Sequence, residues 1–293
     1  MSLALTPFGA AAPTAVRDVA TQATRHTTPC GTGDIIWHRW SALPPTRTHS
    51  RPLVLLHGGS GSWTHWLHNI NPLRAAGYTL WVPDLPGFGD SAPPPQGSDA
   101  DALIAPLHAG LQQLLPGQAC NLVGFSFGAM TAGMLLAAHP HLAARLVLVG
   151  APAMGVVMQR QFDLKAWRHL PAAEQQDIHR YNLAALMLHD PALIDGLALQ
   201  LHTANVERDR MPRRRLSHTR ILAHSLAQVS CPVYAIYGRH DALYQRWIDR
   251  LAPAYAQATA HFQGLTLIED AGHWVQFEQP QAFHAALLAA LAH

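Results

Sequence analysis

Short runs of consecutive apolar residues, separated by helical patterns, constrain the fold of this chain more than any other feature. A strand whose consecutive residues are all apolar is buried on both faces, which is typical of a parallel sheet covered by helices. Six runs have this character: Pro52–Leu56, Thr79–Val82, Cys120–Val123, Arg145–Val149, Pro232–Tyr237 and Leu265–Ile268. Helical patterns occupy Trp63–Ile70, Ala100–Leu115, Phe127–His139, Leu243–Ala258 and Pro280–Ala292. We therefore predict an α/β fold with a doubly wound, mostly parallel sheet.

A long interval between the fourth and fifth runs carries no convincing strand. It covers residues 152–228, and its best helical segments are Phe162–His169, Glu174–His189 and Pro191–Val206. A helical insertion between two parallel strands is expected to lie over their carboxyl ends, where ligands bind in open α/β sheets. The sequence thus predicts a core of residues 1–151 and 229–293 with a helical cap. The alternative is that the helices of residues 152–228 only pack against the back of the sheet.

The charge balance excludes some classes of partner. Charged residues make up 13% of the 293 residues, against roughly 25% in an ordinary soluble domain. The 20 basic and 18 acidic residues leave a net charge of +2, so no nucleic-acid-binding stripe is indicated. The longest apolar stretch, Leu122–Ala138, is interrupted by polar residues and glycines, so we expect no membrane span. A small molecule is the expected partner, and the sequence does not indicate the oligomeric state.

Cysteine and histidine usage bears on the compartment and on metal binding. Cys30, Cys120 and Cys231 are an odd number and far apart, which favours a reducing, cytoplasmic location over a disulfide framework. The 20 histidines are scattered and form no zinc-binding motif. We therefore expect no metal site.

The strongest chemical signal is the motif Gly124-Phe125-Ser126-Phe127-Gly128. It directly follows an apolar run and opens a helical pattern. A sharp turn between a strand and a helix holds a serine hydroxyl exposed above the sheet, and the flanking glycines permit the close backbone contacts of that turn. We therefore predict that Ser126 is a nucleophile. The alternative is a glycine-rich helix start with a capping serine.

A serine nucleophile needs a base, and the base needs an orienting acid. His273 follows the last apolar run, and Asp241 follows the run before it, so both are expected at the same edge of the sheet. Three other aspartates compete for the role of the acid. Asp84 precedes the serine in the chain, Asp249 lies within a helical pattern and Asp270 is too close to His273, so Asp241 is preferred.

The oxyanion that forms on the substrate needs backbone N–H donors already in place. The turn Gly58–Gly61 follows the first apolar run. We predict donors in the N–H groups of Gly59 and Phe127, with Ser60 a weaker candidate. A phosphate-binding loop is the rival interpretation, but the turn does not match a GxGxxG or a P-loop pattern.

The sequence resembles the α/β-hydrolase superfamily over roughly residues 30–293. Five motifs carry the resemblance: HGGSGSW, PDLPGFGDS, GFSFG, GRHD and AGHWVQFEQP. The resemblance implies a serine triad, a cap over residues 152–228 and no cofactor. It does not specify the substrate.

Members of the superfamily that cleave carbon–carbon bonds in ring-fission products have a glycine-rich loop and a tryptophan after the catalytic histidine. Gly58 and Trp274 are similar and imply substrate contacts. The chain differs from those members in two ways. Phe125 stands where a small polar residue is usual, and no proline follows the glycines. A serine also argues against the branches that use an aspartate nucleophile.

These observations predict a cofactor-free serine hydrolase that cleaves carboxylic esters of small or medium-sized, largely apolar molecules. Carbon–carbon cleavage of a 2-hydroxy-6-oxo-dienoate is the alternative reaction. A non-catalytic scaffold that binds a small ligand is a third hypothesis. The arginine-rich run Arg208–Arg215 is interpreted as a solvated face, or else as a source of one arginine that binds a substrate carboxylate.

Overall fold

A computed structural model describes residues 12–44, 49–211 and 213–292. Eight strands are present in this part of the chain: β1 (Thr24–Cys30), β2 (Gly33–Trp40), β3 (Leu53–Leu56), β4 (Leu80–Pro83), β5 (Cys120–Phe125), β6 (Ala143–Val149), β7 (Val233–Gly238) and β8 (Phe262–Ile268). The helices are α1 (Thr14–Ala20), α2 (Leu67–Ala75), α3 (Ile104–Leu114), α4 (Phe127–Ala138), α5 (Ala172–Asn182), α6 (Leu197–Glu207), α7 (Ile221–Leu226), α8 (Leu251–Ala258), α9 (Val275–Glu278) and α10 (Pro280–Ala292).

The strands form one sheet in the order β1-β2-β4-β3-β5-β6-β7-β8. All neighbours from β4 to β8 pair in parallel, and β2 pairs antiparallel with both β1 and β4. The predicted α/β fold with a mostly parallel sheet is therefore confirmed. The β1–β2 hairpin was not predicted, because β1 lies at the edge and its alternating exposed positions carry polar residues.

The consecutive apolar residues of the central strands are buried on both faces. In β3, Leu53 and Leu55 pack with the helices on one side, while Val54 and Leu56 pack with those on the other. Every residue of β3, β4 and β5 is buried. The two apolar layers thus hold the strands in register and fix the positions of their carboxyl ends.

The chain between β6 and β7 contains α5, a π-helix over Leu183–Met187, α6 and α7. The final helix α7 packs against α4 on the flank of the sheet, where Leu222 fills the space beside Gly133. Helix α7, although it lies within residues 152–228, therefore packs on the flank of the sheet.

The predicted helix Phe162–His169 is wrong. These residues form no regular helix, because backbone groups within them bond to a side chain of α5 instead. The N–H of Lys165 donates to Asn182 Oδ1 at 2.9 Å, and Asn182 Nδ2 donates to the Lys165 carbonyl at 3.0 Å.

Candidate active site

Ser126 occupies the sharp turn between β5 and α4. Its backbone has φ of 52° and ψ of −116°, a strained conformation for a residue with a side chain. A side chain at Gly128 would meet the backbone of Leu56 and His57 at 2.4–2.8 Å, so only glycine fits there. The turn therefore raises the serine hydroxyl above the edge of the sheet, as its position in the sequence predicts.

The side chains of Ser126, His273 and Asp241 form one hydrogen-bonded row. His273 Nε2 lies 2.8 Å from Ser126 Oγ, and His273 Nδ1 lies 2.9 Å from Asp241 Oδ2. An ionised carboxylate can only accept, so the imidazole proton lies on Nδ1 and Nε2 accepts from the serine hydroxyl. Asp241 is fully buried, and its other oxygen accepts the N–H of Leu243 at 2.9 Å. The arrangement has the geometry of a nucleophile, a base and an orienting acid.

Parallel pairing explains why residues 32 and 147 positions apart in the chain meet. Ser126 follows β5, Asp241 follows β7 and His273 follows β8, and the carboxyl ends of these strands lie at one edge. Gly150, at the end of β6, has φ of +53° and leaves room for the imidazole of His273. The sheet therefore brings the three residues together.

Asp84 has a different environment. Its carboxylate is fully buried and accepts the backbone N–H groups of Trp63 and Asp90, each at 2.9 Å. Burial would raise the pKa of Asp84, but His38, 3.9 Å away, and the other partners lower it to about 2. The carboxylate thus joins two loops of the core.

Gly59 and Phe127 lie next to each other at the serine. A side chain at Gly59 would touch Phe127 Cβ at 3.4 Å. Phe127 is the first residue of α4, so its N–H has no acceptor within the helix. The N–H of Gly59 makes no hydrogen bond to the described part of the chain. Two N–H donors are therefore available beside the hydroxyl.

Two buried histidines that the sequence analysis overlooked hold the loop that carries Gly59. His57 Nε2 accepts the N–H of Leu85 at 2.8 Å, so its Nδ1 carries the proton and donates to the carbonyl of Gly58 at 2.7 Å. His65 Nδ1 accepts the N–H of Gly58 at 3.2 Å. Burial lowers the pKa of His57 to about 4 and that of His65 well below its usual range. Both rings are therefore neutral, as these bonds require.

A buried carboxylate supports the loop of His273 in the same way. Glu278 Oε2 accepts the N–H of Gly272 at 2.6 Å, and Oε1 accepts the N–H groups of His189 and Asp190 at 2.7 and 2.8 Å. Burial raises the pKa of Glu278. The carboxylate thus joins the histidine loop to the chain that follows the π-helix.

The two residues predicted to contact substrate have different surroundings. Gly58 lines the cavity above Ser126, but its N–H and carbonyl are already bonded to His65 and His57. Trp274 is fully buried, donates from Nε1 to the carbonyl of His65 at 3.1 Å and stacks on Phe277. Trp274 does not line that cavity, because its indole packs in the core beneath the site, and its contact with substrate stays a prediction.

The arginine-rich run is only partly a solvated face. Arg213 and Arg215 are exposed, but Arg208 pairs with Asp90. Arg210 donates to the backbone carbonyls of residues 88, 89 and 91. Arg214 lines the cavity above Ser126. Its guanidinium donates to Ser60 Oγ at 3.0 Å, lies 2.8 Å from Asp209 and covers the ring of Phe127.

The cavity above Ser126 has a volume of about 290 Å³. The core contributes Ser126, His273 and Tyr244 to its walls, and the inserted segment contributes Val157, Leu186 and Arg214. No three metal-binding side chains converge within the described ranges. No helix in those ranges is long and apolar enough to cross a membrane.

Comparison with curated proteins finds hydrolases at low identity. The chain is 24% identical over 253 residues to 2-hydroxy-6-oxo-6-phenylhexa-2,4-dienoate hydrolase of Burkholderia cepacia, covering 82% of this chain and 87% of that protein. It is 26% identical to 2-hydroxy-6-oxononadienedioate/2-hydroxy-6-oxononatrienedioate hydrolase 2 of Pseudomonas putida, with the same coverage.

Solved structures share the fold. Carboxylesterase CesB of Bacillus subtilis superposes with a TM-score of 0.72 at 17% identity, covering 94% of this chain and 95% of that one. The CarC serine hydrolase involved in carbazole degradation superposes with a TM-score of 0.65 at 20% identity, covering 92% and 99%. Residues 53–286 match the sequence model of the alpha/beta hydrolase family. With its eight-stranded sheet and this match over most of its length, the chain belongs to the alpha/beta hydrolase family.

Proposed function

We propose that this protein is a serine hydrolase that cleaves carboxylic esters of small or medium-sized, largely apolar molecules. The observation that carries the proposal is the hydrogen-bonded row of Ser126, His273 and Asp241, with distances of 2.8 and 2.9 Å, facing a cavity. A serine that is positioned on a base in this way can attack a carbonyl carbon.

The reaction proceeds in two halves. Ser126 Oγ attacks the ester carbonyl as His273 Nε2 takes its proton, and Asp241 stabilises the imidazolium that forms. The N–H groups of Gly59 and Phe127 donate to the oxyanion. His273 then gives its proton to the leaving alcohol, and an acyl group remains on Ser126. Water then attacks the acyl carbonyl as His273 takes its proton. The bond to Ser126 Oγ breaks, His273 returns the proton to that oxygen, and the acid is released.

The domain boundaries and the location are also proposals. Val157, Leu186 and Arg214 belong to the inserted segment and line the cavity above Ser126, which supports the role of residues 152–228 as a cap. The three cysteines are buried and unbridged, which supports a cytoplasmic location.

Carbon–carbon cleavage of a 2-hydroxy-6-oxo-dienoate is the second candidate. Two observations favour this reaction. The curated relatives are named as hydrolases of such dienoates. In addition, the guanidinium of Arg214 lines the cavity, and a guanidinium pairs well with a substrate carboxylate. The ring of Phe125 weakens this candidate, because a fully buried apolar side chain offers no polar group beside the nucleophile. Ester cleavage therefore remains the first choice.

One experiment compares the two reactions. Purified protein is incubated with p-nitrophenyl esters of graded acyl length and, separately, with a 2-hydroxy-6-oxo-dienoate. We expect the ester kcat/KM to exceed that for the dienoate at least tenfold and a serine-directed phosphonate to abolish both activities. A dienoate kcat/KM above that of every ester would reverse the order of the candidates.

A further inference from the structure

A second cavity adjoins the one above Ser126. This side cavity has a volume of about 740 Å³ and lies between the extended segment Leu164–His169, the π-helix, α6 and the Gly59–Ser60 turn. The two cavities share five lining residues: Gly59, Ser60, Leu164, Leu186 and Met187. They are therefore neighbours on the two sides of one partition, and the proposed oxyanion donor Gly59 belongs to that partition.

The π-helix Leu183–Met187 supplies the large apolar side chains of the partition. A π-helical turn inserts one extra residue into a helix and is frequently found at functional sites. Met187 is 8% exposed, and its carbonyl accepts the N–H of Trp274, next to His273, at 2.7 Å. This hydrogen bond attaches the partition to the loop of the proposed base His273.

Several charged and polar side chains around the side cavity already bond to, or pack on, neighbouring residues. The amide of Asn182 is bonded to the backbone of Lys165, whose ammonium lies 3.8 Å over the ring of Tyr181. Arg168 donates to the carbonyls of Val206 and Asp209.

Two of the histidines that line the side cavity, His65 and His202, are uncharged. Burial lowers the pKa of His202 to about 3 and that of His65 well below its usual range. Trp167, Leu186, Met187 and Val206 add apolar surface. Together with the engaged charges, these neutral rings make the side cavity suited to an uncharged, largely apolar group.

We propose that the side cavity binds the larger, uncharged apolar arm of the ester while the carbonyl lies at Ser126, and that Leu186 and Met187 set the size of arm accepted. The proposal rests on the proposed ester hydrolysis. The catalytic cavity alone, at about 290 Å³, falls at the lower limit of ligand sites, which are roughly 300–1,000 Å³. The side cavity supplies the additional space for a substrate with one bulky arm.

The test replaces partition side chains by larger or smaller ones and measures how kcat/KM depends on the size of the ester. Two ester series are used, p-nitrophenyl esters from acetate to dodecanoate and acetates of methanol, phenol and 2-naphthol. In Leu186→Trp we expect kcat/KM for the bulkiest members to fall at least tenfold while that for the smallest changes less than threefold. Leu186→Ala and Met187→Ala should move the preference towards larger arms. Leu193→Trp is the matched control, since Leu193 is also partly buried but lines neither cavity.

Two results would overturn the proposal. An equal loss across both series in Leu186→Trp would mean that the side cavity is only a route of approach. Unchanged selectivity in all three variants would mean that the partition does not contact substrate. If Leu186→Trp did not fold, the two alanine variants would decide by the same criterion.

Failure of the proposed function would look different. In that case the wild-type protein would hydrolyse no ester of either series. The side cavity would then be tested with 2-naphthol by fluorescence titration, with at least tenfold weaker binding expected in Leu186→Trp than in Leu193→Trp. Equal binding by these two variants would overturn the proposal.

Discussion

The carboxyl edge of the core and the inserted segment above it contribute differently to the site. The core places Ser126, Asp241 and His273 beyond the carboxyl ends of the parallel strands β5, β7 and β8, where their side chains form a hydrogen-bonded row. The insertion contributes Leu186 and Arg214 through irregular segments and a π-helix. The proposed chemistry is therefore attached to the rigid sheet, whereas the proposed selectivity depends on segments that the sheet does not constrain. Changes in the core should therefore affect all substrates, and changes in the insertion only some.

The largest expected effect is at the nucleophile. Ser126→Ala should lower kcat by about 10⁴- to 10⁶-fold for every ester, because the members of a triad act as a unit. The hydroxyl faces a cavity, so its loss should leave the melting temperature unchanged. Ser217→Ala, at another serine that lines the same cavity, is the control and should retain activity. Wild-type rates in Ser126→Ala would remove the basis of the proposed function.

Asp241→Asn should lower kcat about 10⁴-fold, because the amide would donate to the imidazole and favour the wrong tautomer of His273. The effect should again be equal for small and bulky esters. Asp84→Asn is the matched control, a buried aspartate at the end of another strand, and should lower kcat less than about tenfold. The opposite order of the two effects would show that Asp84 is the orienting acid.

Asp84 should instead affect stability. Its folded-state pKa of about 2 lies below the ordinary value of 3.8, so the ionised form stabilises the fold above about pH 4 and this contribution is lost as the pH falls towards 2. The shift corresponds to about 2 kcal/mol. Denaturant unfolding between pH 7 and pH 2.5 should show a smaller loss of stability in Asp84→Asn than in wild type. Parallel pH profiles of the two proteins would contradict this role.

The smallest effect is expected at Arg214, within the insertion. Arg214→Gln should change kcat/KM for neutral esters less than about threefold, because they have no charge for the guanidinium to pair with. Arg213→Gln, at the exposed neighbour, is the control. A tenfold to hundredfold loss of kcat/KM in Arg214→Gln that is confined to a carboxylate-bearing substrate corresponds to about 1.5–3 kcal/mol. Such a loss would favour carbon–carbon cleavage and would show that the insertion recognises the substrate.

Sequence reasoning predicts the core well and the insertion poorly. The six apolar runs all correspond to strands, because burial on both faces of a sheet leaves a pattern within a few consecutive residues. The predicted helix Phe162–His169 is wrong because Asn182, on α5, bonds to the backbone of this segment. That contact joins residues 17 apart in the chain, so no local pattern indicates it.

The residues of the proposed site likewise differ in how well the sequence predicts them. Ser126, Asp241 and His273 lie in the loops that follow three of the strands, so the order of elements was enough to predict that they meet. The burial of Trp274, the support of Gly58 by two histidines and the position of Arg214 were not apparent. The sequence does not distinguish a buried histidine from an exposed one among the 20 histidines, nor one arginine of a basic run from another.

Local sequence patterns are enough to specify the α/β class, the parallel core and the residues that follow its strands, because short-range burial patterns and tight turns encode them. The course of the insertion, the partition between the two cavities and the surroundings of each arginine become clear only in the folded chain. Those features depend on contacts between residues far apart in the chain, such as the 2.6 Å hydrogen bond from Ser60 to Asp209. Such contacts depend on how the whole chain packs, which no single segment of the sequence records.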